Sequence, residues 1–384
     1  MSIWTCFELS WTFIRIEAVE SLTCDILVIG AGPAGSSAAG EASSRGARVI
    51  VVDRRAEIGI PVQCAEYIPA FLLGELCLGT GFVVQPLRGM KTFLTGRQIQ
   101  EIAAPGYTIH RDSFDRLLAD KAAKAGSSVL LSTRAVSMDD RGVLVRGKGR
   151  SESWIRAGVI IGADGPHSIT GRWLGSENTN LIPAVQVRVR LNHPMEFTEI
   201  YFDDRIYGGY GWLFPKGDEA NVGLGMKKRG DRNEIGCMLR ELLSLLAGQE
   251  KIVGDPFHIT SGHIPAEPRR PITGKGIMLA GDAAGHTHPI TGAGIAQAVI
   301  GGRMAGKWAA RAVESGDLKN LSGYESEWLE LFGDTLEQAF ERRRLLEAKW
   351  DRLEEIFKHC WVTFKEYHEP IGRNIGRGQR DFLE

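Results

Sequence analysis

The chain carries almost no net charge: 46 Lys and Arg against 47 Asp and Glu leave a formal −1 over 384 residues. With no basic stripe interleaved with aromatics, it has no electrostatic footprint for nucleic acid. Cysteine is sparse. Six residues (Cys6, Cys24, Cys64, Cys77, Cys237, Cys360) are scattered with no C-x-x-C and no metal-ligand spacing. That excludes a disulfide scaffold, predicts no metal site and suits a reducing cytoplasm. No apolar run reaches the roughly 18 residues of a membrane span, so a cytoplasmic location with only peripheral membrane contact is expected. Internal repeats and low-complexity segments are also missing. What remains, 43% hydrophobic and 24% charged, is ordinary globular composition in a chain long enough for two domains with cores of their own.

Against that background one stretch stands out. Asp25-Ile26-Leu27-Val28-Ile29 reads as a short buried strand, and Ala38–Ser43 as a helix of small residues. Between them Gly30-x-Gly32-x-x-Gly35 sits on a strand-to-helix turn, the context that gives this fingerprint meaning. Gly30 would permit the tight turn and Gly32 would let backbone approach a pyrophosphate. Gly35 would let the helix lie close on the strand, with its positive end toward the anion. A second strand, Arg48–Val52, ends at Asp53, 18 residues beyond Gly35, close to the roughly 20 expected of an acid that binds a ribose hydroxyl. Asp53 would repel a 2′-phosphate, so the dinucleotide is NAD or FAD.

The rest of the chain has a legible order. Residues 1–22 form an N-terminal extension. Trp4, Phe7, Trp11 and Ile14 fall there at helical spacing, which suits a surface helix touching lipid or the protein body, unless translation begins later, for instance at Val19. After Asp53 a loop leads to a helix carrying Leu72, Leu73 and Leu76, and Val83–Ile102 alternates like sheet. A helix opens at His110-Arg111 and stops at Gly126. Strands are expected at Val129–Ser132, Gly142–Val145 and Val159–Ile161. From Leu181 the texture becomes alternating with Gly/Asp turns, as in Val185–Leu191, Tyr210–Pro215 and Ala220–Met226, with one helix at Glu234–Leu246. This predicts an α/β (α+β) protein of two domains. A discontinuous Rossmann-like βαβ domain (23–180 and 270–320) holds an inserted, largely antiparallel substrate sheet (181–269), which part of 83–108 joins. A helical region, 321–384, follows.

A second glycine cluster separates NAD from FAD. The strand Gly276–Ala280 runs into Gly281-Asp282, a loop with Pro289, and Gly292-Ala293-Gly294-Ile295 at a helix start. Asp282 can accept hydrogen bonds from the ribityl hydroxyls of a flavin. Backbone N–H groups near Gly294 and Ile295 can stabilise negative charge on the N1–C2=O edge of a reduced flavin.

Taken in order, Gly30-x-Gly32-x-x-Gly35, Asp164-Gly165 and Gly281-Asp282 resemble the flavoproteins of the para-hydroxybenzoate hydroxylase-like fold, and the resemblance spans residues 25 to about 300. Pro61-Val62-Gln63-Cys64-Ala65-Glu66 and the Y-x-W-x-F-P element at Tyr210–Pro215 narrow it to the geranylgeranyl reductases, including those that act on archaeal lipids. The resemblance implies FAD contacts at Ala34, Asp53, Cys64, Ala65, Arg111, Ala135, Asp164, Asp282, Gly294 and Ile295, and makes the Y-x-W-x-F-P strand a wall of a prenyl pocket. Two histidines in His286-Thr287-His288-Pro289 depart from the family pattern, and the N-terminal extension has no counterpart in it.

The implied reaction is FAD-dependent saturation of isolated C=C bonds in a prenyl lipid or prenyl diphosphate. Tyr210 and Trp212, with Phe214, share one side of their strand and would offer π-faces to a developing cation. Cys64 would sit at the chemistry, as proton donor or packed beneath the isoalloxazine; His286 and His288 are rival donors. No second dinucleotide fingerprint appears, so the electron donor is ferredoxin, a deazaflavin or a transiently bound NAD(P)H. Two alternatives stay open at this point: a flavin hydroxylase of the same fold, and an electron carrier to a quinone.

Overall fold

The computed structural model describes residues 21–76, 78–228 and 234–369; Trp4, Phe7, Trp11, Ile14 and Val19 lie outside them. The chain opens with β1 (Ser21–Ile29), α1 (Pro33–Ser44) and β2 (Val49–Val52). Ile26–Ile29 and Val49–Val52 are apolar throughout because both strands are buried on both faces, as parallel strands under helices must be. Then come β3 (Tyr67–Pro69), α2 (Ala70–Leu76), β4 (Val83–Leu94) and β5 (Arg97–Ile109). They are followed by α3 (Arg111–Lys124), β6 (Ser128–Leu130), β7 (Arg134–Asp139), β8 (Gly142–Arg146), β9 (Glu152–Gly162) and α4 (Ile169–Leu174).

The second half adds β10 (Leu181–Leu191), β11 (Phe197–Phe202), β12 (Tyr210–Lys216), β13 (Glu219–Gly225), α5 (Glu234–Gly248) and β14 (Ile252–Pro265). It closes with β15 (Thr273–Gly274), β16 (Ile277–Leu279), α6 (Ile295–Ser315), α7 (Ser322–Trp328), α8 (Asp334–Ala348) and α9 (Leu353–Cys360). No described helix is long and apolar enough to cross a membrane.

Two eight-stranded sheets organise these elements. In the first, β16-β9-β1-β2-β6 run parallel, and the β7–β8 hairpin hangs on β9. Sequence reading misses β7 and the first half of β9 because, at the sheet margin, polar Glu152 and Arg156 break the apolar run. The second sheet has the order β14-β10-β13-β12-β11-β4-β5-β3, and all its pairs are antiparallel except β11 with β4. Residues 67–109, which precede β6 in the chain, thus supply three of its strands.

One face of the second sheet is covered by α5, whose Leu239, Leu242 and Leu246 bury against Val187, Val189 and Leu224, each such leucine contributing roughly 1.5–3 kcal/mol. The other face meets the C-terminal helices through Trp350, Phe357 and Trp361. In the first sheet α1 and α6 cross closely. A Cβ on Gly302 would lie 2.2 Å from the Ala34 carbonyl oxygen, and one on Gly306 2.3 Å from that of Ala38. Only glycine allows the approach, and it sets the first turns of α1 against the middle of α6.

Candidate active site

The glycine turn behaves as its spacing predicts, and each glycine has its own reason. Gly30 has φ +104, and a Cβ on it would strike the Ala163 carbonyl oxygen at 2.3 Å. A Cβ on Gly35 would lie 1.8 Å from the Gly30 oxygen. These two serve the fold. Gly32 is different: it has an ordinary φ of −74 at the head of α1, and a Cβ there would meet nothing within 4 Å. Nothing in the protein requires glycine at this position, and the open space in front of a helix N-terminus fits a pyrophosphate. Asp53 closes the turn. Its Oδ2 accepts the Ala31 N–H at 2.7 Å and its Oδ1 the Arg55 N–H at 2.8 Å.

Asp164 lies against the same turn, since a Cβ on Gly30 would also come within 3.1 Å of its Cα. Its carboxylate organises α4, accepting from Ser168 Oγ (2.5 Å) and the N–H groups of Ile169 (2.8 Å) and Thr170 (3.2 Å). Ala135 is buried on β7, beside a cleft of about 390 Å³ that it shares with Arg134, Arg146 and Ile169. It is tied to the end of β2 because Thr133 N–H donates to the Asp53 carbonyl at 2.8 Å.

The second cluster folds onto the first. A Cβ on Gly281 would lie 2.9 Å from Ala34 Cβ, and Asp282 Oδ1 accepts from Thr287 Oγ1 at 2.9 Å. Gly294 heads α6 beside these two groups, 3.6 Å and 3.2 Å from its notional Cβ. Burial raises the Asp282 pKa against the pull of Arg111. The histidines are structural neighbours here. His286 stacks on Trp328 with ring centroids 3.5 Å apart, and its Nδ1 accepts the Gly281 N–H at 3.3 Å. Burial pushes its pKa down to about 3. His288 Nδ1 accepts from the N–H groups of Ile290 and Thr291, and burial takes it to about 4. Both rings are neutral at physiological pH.

Between the two sheets runs the segment 61–66, without regular structure of its own but held on every side. Glu66 is its anchor, with φ +67, which is uncommon for a residue with a side chain. Its Oε1 accepts the Arg111 N–H at 3.0 Å, and its Oε2 accepts from Lys216 Nζ (2.6 Å), Asn221 Nδ2 (2.9 Å) and Arg188 Nη2 (3.1 Å). Burial raises the carboxyl pKa, but Lys216 and the donated hydrogen bonds outweigh it and leave the group ionised below the ordinary range. Asn221 also holds the Ala65 carbonyl at 3.2 Å. Cys64 is fixed at both ends: its Sγ accepts the Glu66 N–H at 3.2 Å, and its carbonyl accepts from Gln186 Nε2 at 2.9 Å.

Burial pushes the Cys64 thiol pKa up, against the pull of the Arg111 guanidinium, so the thiol keeps its proton. Arg111 is itself paired with Asp115 through two 2.9 Å hydrogen bonds. Cys64, Arg111 and Asp282 therefore share one electrostatic neighbourhood. The predicted aromatic side chains do lie on one face of β12. Tyr210, Trp212 and Phe214 all join the apolar layer under α8 and α9, where the Tyr210 hydroxyl donates to the Thr291 carbonyl and Trp212 Nε1 donates to Gln186 Oε1 at 2.9 Å. Glu66, Gln186, Arg188, Lys216 and Asn221 escaped the reading by residue type. The available signal was parity: in β10 the polar residues Gln186 and Arg188 alternate with Val185, Val187 and Val189, and so face the site.

Comparison with known proteins adds to this geometry. The FAD binding domain family matches residues 100–338, and the NAD(P)-binding Rossmann-like domain matches residues 28–102. Digeranylgeranylglycerophospholipid reductase 1 of Methanopyrus kandleri is 37% identical over 342 residues, covering 84% of this chain and 90% of the relative. The chain belongs to the digeranylgeranylglycerophospholipid reductase family. The member from Thermoplasma volcanium is 33% identical, with 92% of each chain covered. A solved structure of a geranylgeranyl bacteriochlorophyll reductase-like protein from Thermoplasma acidophilum superposes with a TM-score of 0.78 at 28% identity, over 94% of this chain and 99% of that one. A probable FAD-dependent monooxygenase from Pseudomonas aeruginosa, 20% identical with a TM-score of 0.65, shares the fold. The cofactor is FAD. The open space at Gly32, Asp53 at the ribose end and the Asp282–Gly294 corner are the groups that fit it.

Proposed function

We propose that the protein is an FAD-dependent reductase that saturates isolated C=C bonds in the geranylgeranyl chains of archaeal-type glycerophospholipids or prenyl diphosphates. The observation that carries this reading is the junction at Cys64. There a protonated thiol is coupled to Arg111, and the carbonyl of the same residue is linked through Gln186 to Trp212 on the aromatic face. When bound and reduced, FAD supplies a hydride. The other requirements fall to the chain.

An isolated trisubstituted alkene has no electron-withdrawing group, so a proton must reach one carbon as hydride reaches the other. Cys64 provides that proton, and the Glu66 N–H and Arg111 guanidinium are in place to hold the thiolate that remains. Positive charge gathers on the more substituted carbon, where Tyr210, Trp212 and Phe214 offer π-faces. The packed layer of Trp350, Phe357 and Trp361 keeps that region dry. The prenyl chain lies along this face, and an external reductant (ferredoxin, a deazaflavin or NAD(P)H) restores the cofactor.

The test is anaerobic. The holoprotein is reduced with dithionite, mixed with digeranylgeranylglycerophospholipid or geranylgeranyl diphosphate, and the lipid is weighed by mass spectrometry. Gains of two hydrogens per double bond are expected. Rapid oxidation by quinone analogues with no saturated lipid would replace this reading with that of an electron carrier, and oxygen-dependent hydroxylation of a phenol would replace it with that of a monooxygenase.

A further inference from the structure

Gln186 has no reason to be polar from packing alone. It is 7% exposed, in a strand whose other buried residues, Ile182, Val187, Val189 and Leu191, are all apolar. A buried amide is costly unless both of its ends are satisfied. Here each end has one partner, and the chemistry of those partners leaves the amide no choice of orientation. The indole Nε1–H of Trp212 can only donate, so it must meet Oε1, at 2.9 Å. The Cys64 carbonyl can only accept, so it must meet Nε2, also at 2.9 Å. A flipped amide would fail at both ends.

The sheet is built to allow this link. Gln186 on β10 and Trp212 on β12 both lie directly opposite Gly223 on the intervening strand β13. Residues directly opposite in antiparallel strands project to the same face, so the three positions form one row, and its ends stand roughly 9–10 Å apart across two strand spacings. No ordinary hydrogen bond spans that gap. The indole does, lying across β13 where the central residue has no side chain. A Cβ on Gly223 would sit 2.6 Å from Trp212 Cζ2 and 2.8 Å from Cε2. A glycine in mid-strand weakens a sheet and marks a close approach, and two groups approach here: the indole, and the Val185 carbonyl oxygen at 2.5 Å.

We propose that Gln186 is a positioning residue for Cys64, and that Trp212 acts on the reaction through this amide as well as through its ring. This rests on the reading of Cys64 as the proton source. Segment 61–66 has no ladder to hold it, so the Cys64 peptide is placed by the Gln186 bond on one side and by the Glu66 anchor on the other. The row of Gln186, Gly223 and Trp212 thus transmits the position of the aromatic wall to the thiol.

The test uses the FAD-loaded protein and four variants. Gln186→Leu removes both bonds at similar volume. Gln186→Glu, assayed at alkaline pH where its carboxylate is ionised, keeps an acceptor for Trp212 but cannot donate to the Cys64 carbonyl. Trp212→Phe keeps a ring and removes the donor. Cys64→Ala is the reference. Two quantities are measured: single-turnover oxidation of reduced flavin by the geranylgeranyl substrate, and the rate at which the Cys64 peptide is alkylated by iodoacetamide, read by mass spectrometry.

Both Gln186 variants should lower the turnover rate by up to about 100-fold, the scale of a misplacement near 1 Å, with little change in KM. The Cys64 alkylation rate should change in step. Trp212→Phe should do the same to a smaller degree, and its combination with Gln186→Leu should be no worse than Gln186→Leu alone, because the two variants break one chain of contacts. Wild-type turnover and alkylation in Gln186→Glu, or effects of Gln186→Leu and Trp212→Phe that multiply, would overturn the proposal. Full turnover by Cys64→Ala would instead overturn the role of Cys64. The alkylation rates of the Gln186 variants would then decide the positioning alone: a changed rate sustains it and an unchanged rate removes it.

Discussion

Two glycines three residues apart, Gly32 and Gly35, should respond to the same substitution in opposite ways. At Gly35 an added methyl would lie 1.8 Å from the Gly30 carbonyl oxygen, and the neighbour is backbone. Relieving the clash needs a shift of more than 1 Å between β1 and α1, an overpacking cost of roughly 1–3 kcal/mol or more. At Gly32 the methyl would enter open space at a φ and ψ of −74 and −174 that alanine adopts freely. Losing glycine at a helix N-cap costs a few tenths to about 1 kcal/mol, and a stiffer unfolded chain returns about 0.4–1 kcal/mol. Apoprotein stability should therefore stay within about 1 kcal/mol of wild type.

FAD binding should separate the two glycines. If the space at Gly32 is where backbone meets the pyrophosphate, Gly32→Ala should weaken FAD by about 10- to 100-fold, or 1.4–2.7 kcal/mol. The stabilisation conferred by a fixed excess of FAD should shrink by about 1.4 kcal/mol for each tenfold lost. The assay pairs urea unfolding of flavin-stripped protein with a flavin-fluorescence titration. Two results would refute the reasoning: a Gly32→Ala apoprotein destabilised by several kcal/mol, which would make the glycine structural, or one that binds FAD like wild type.

The other predictions concern the protein groups around the cofactor. Cys64→Ala should abolish double-bond reduction while the protein stays yellow; near-normal turnover in the lipid assay would rule out Cys64 as the proton source. Glu66→Gln should cost about 3–5 kcal/mol in chemical denaturation, because Lys216 would keep its buried charge without the carboxylate. Since the folded Glu66 carboxyl lies below its ordinary value of 4.5, its contribution is present above that pH and fades as pH falls through the folded value. A Glu66→Gln variant whose stability gap from wild type does not narrow as pH falls below 4.5 would contradict this. His286 and His288 act over a higher window. Both are held neutral by burial, at about 3 and about 4 against an ordinary 6.5, so below pH 6.5 the unfolded chain takes up protons that the folded one refuses. Stability should fall by about 1.4 kcal/mol per pH unit for each histidine between pH 6 and 4.5, and an unchanged wild-type slope in His286→Gln would count against the assignment.

How much of this was legible beforehand depended on how far apart the contributing residues lie. The glycine turn, Asp53 and the Gly281–Ile295 corner could be read from spacing. Each is a strand-to-helix junction whose backbone demands are met by neighbours a few residues away. Helix α5 could be read too, because one apolar face repeats every three to four residues. The β7 strand could not, since only Ala135 and its hairpin partners turn inward at the sheet margin. The neutrality of His286 was equally hidden, because it is caused by Trp328, on a separate helix, and by burial.

The sequence by itself determined a two-part flavoprotein with glycine-lined strand-to-helix turns and an aromatic strand, because local conformation and side-chain period are short-range properties. Only the tertiary structure decided what surrounds the cysteine. Glu66 gains its charge partners from β10 and β12, more than 100 residues along the chain. Cys64 meets Gln186 and, through it, Trp212 because strand register sets them opposite one glycine. Register is a property of the paired strands, and no single stretch of the chain carries it.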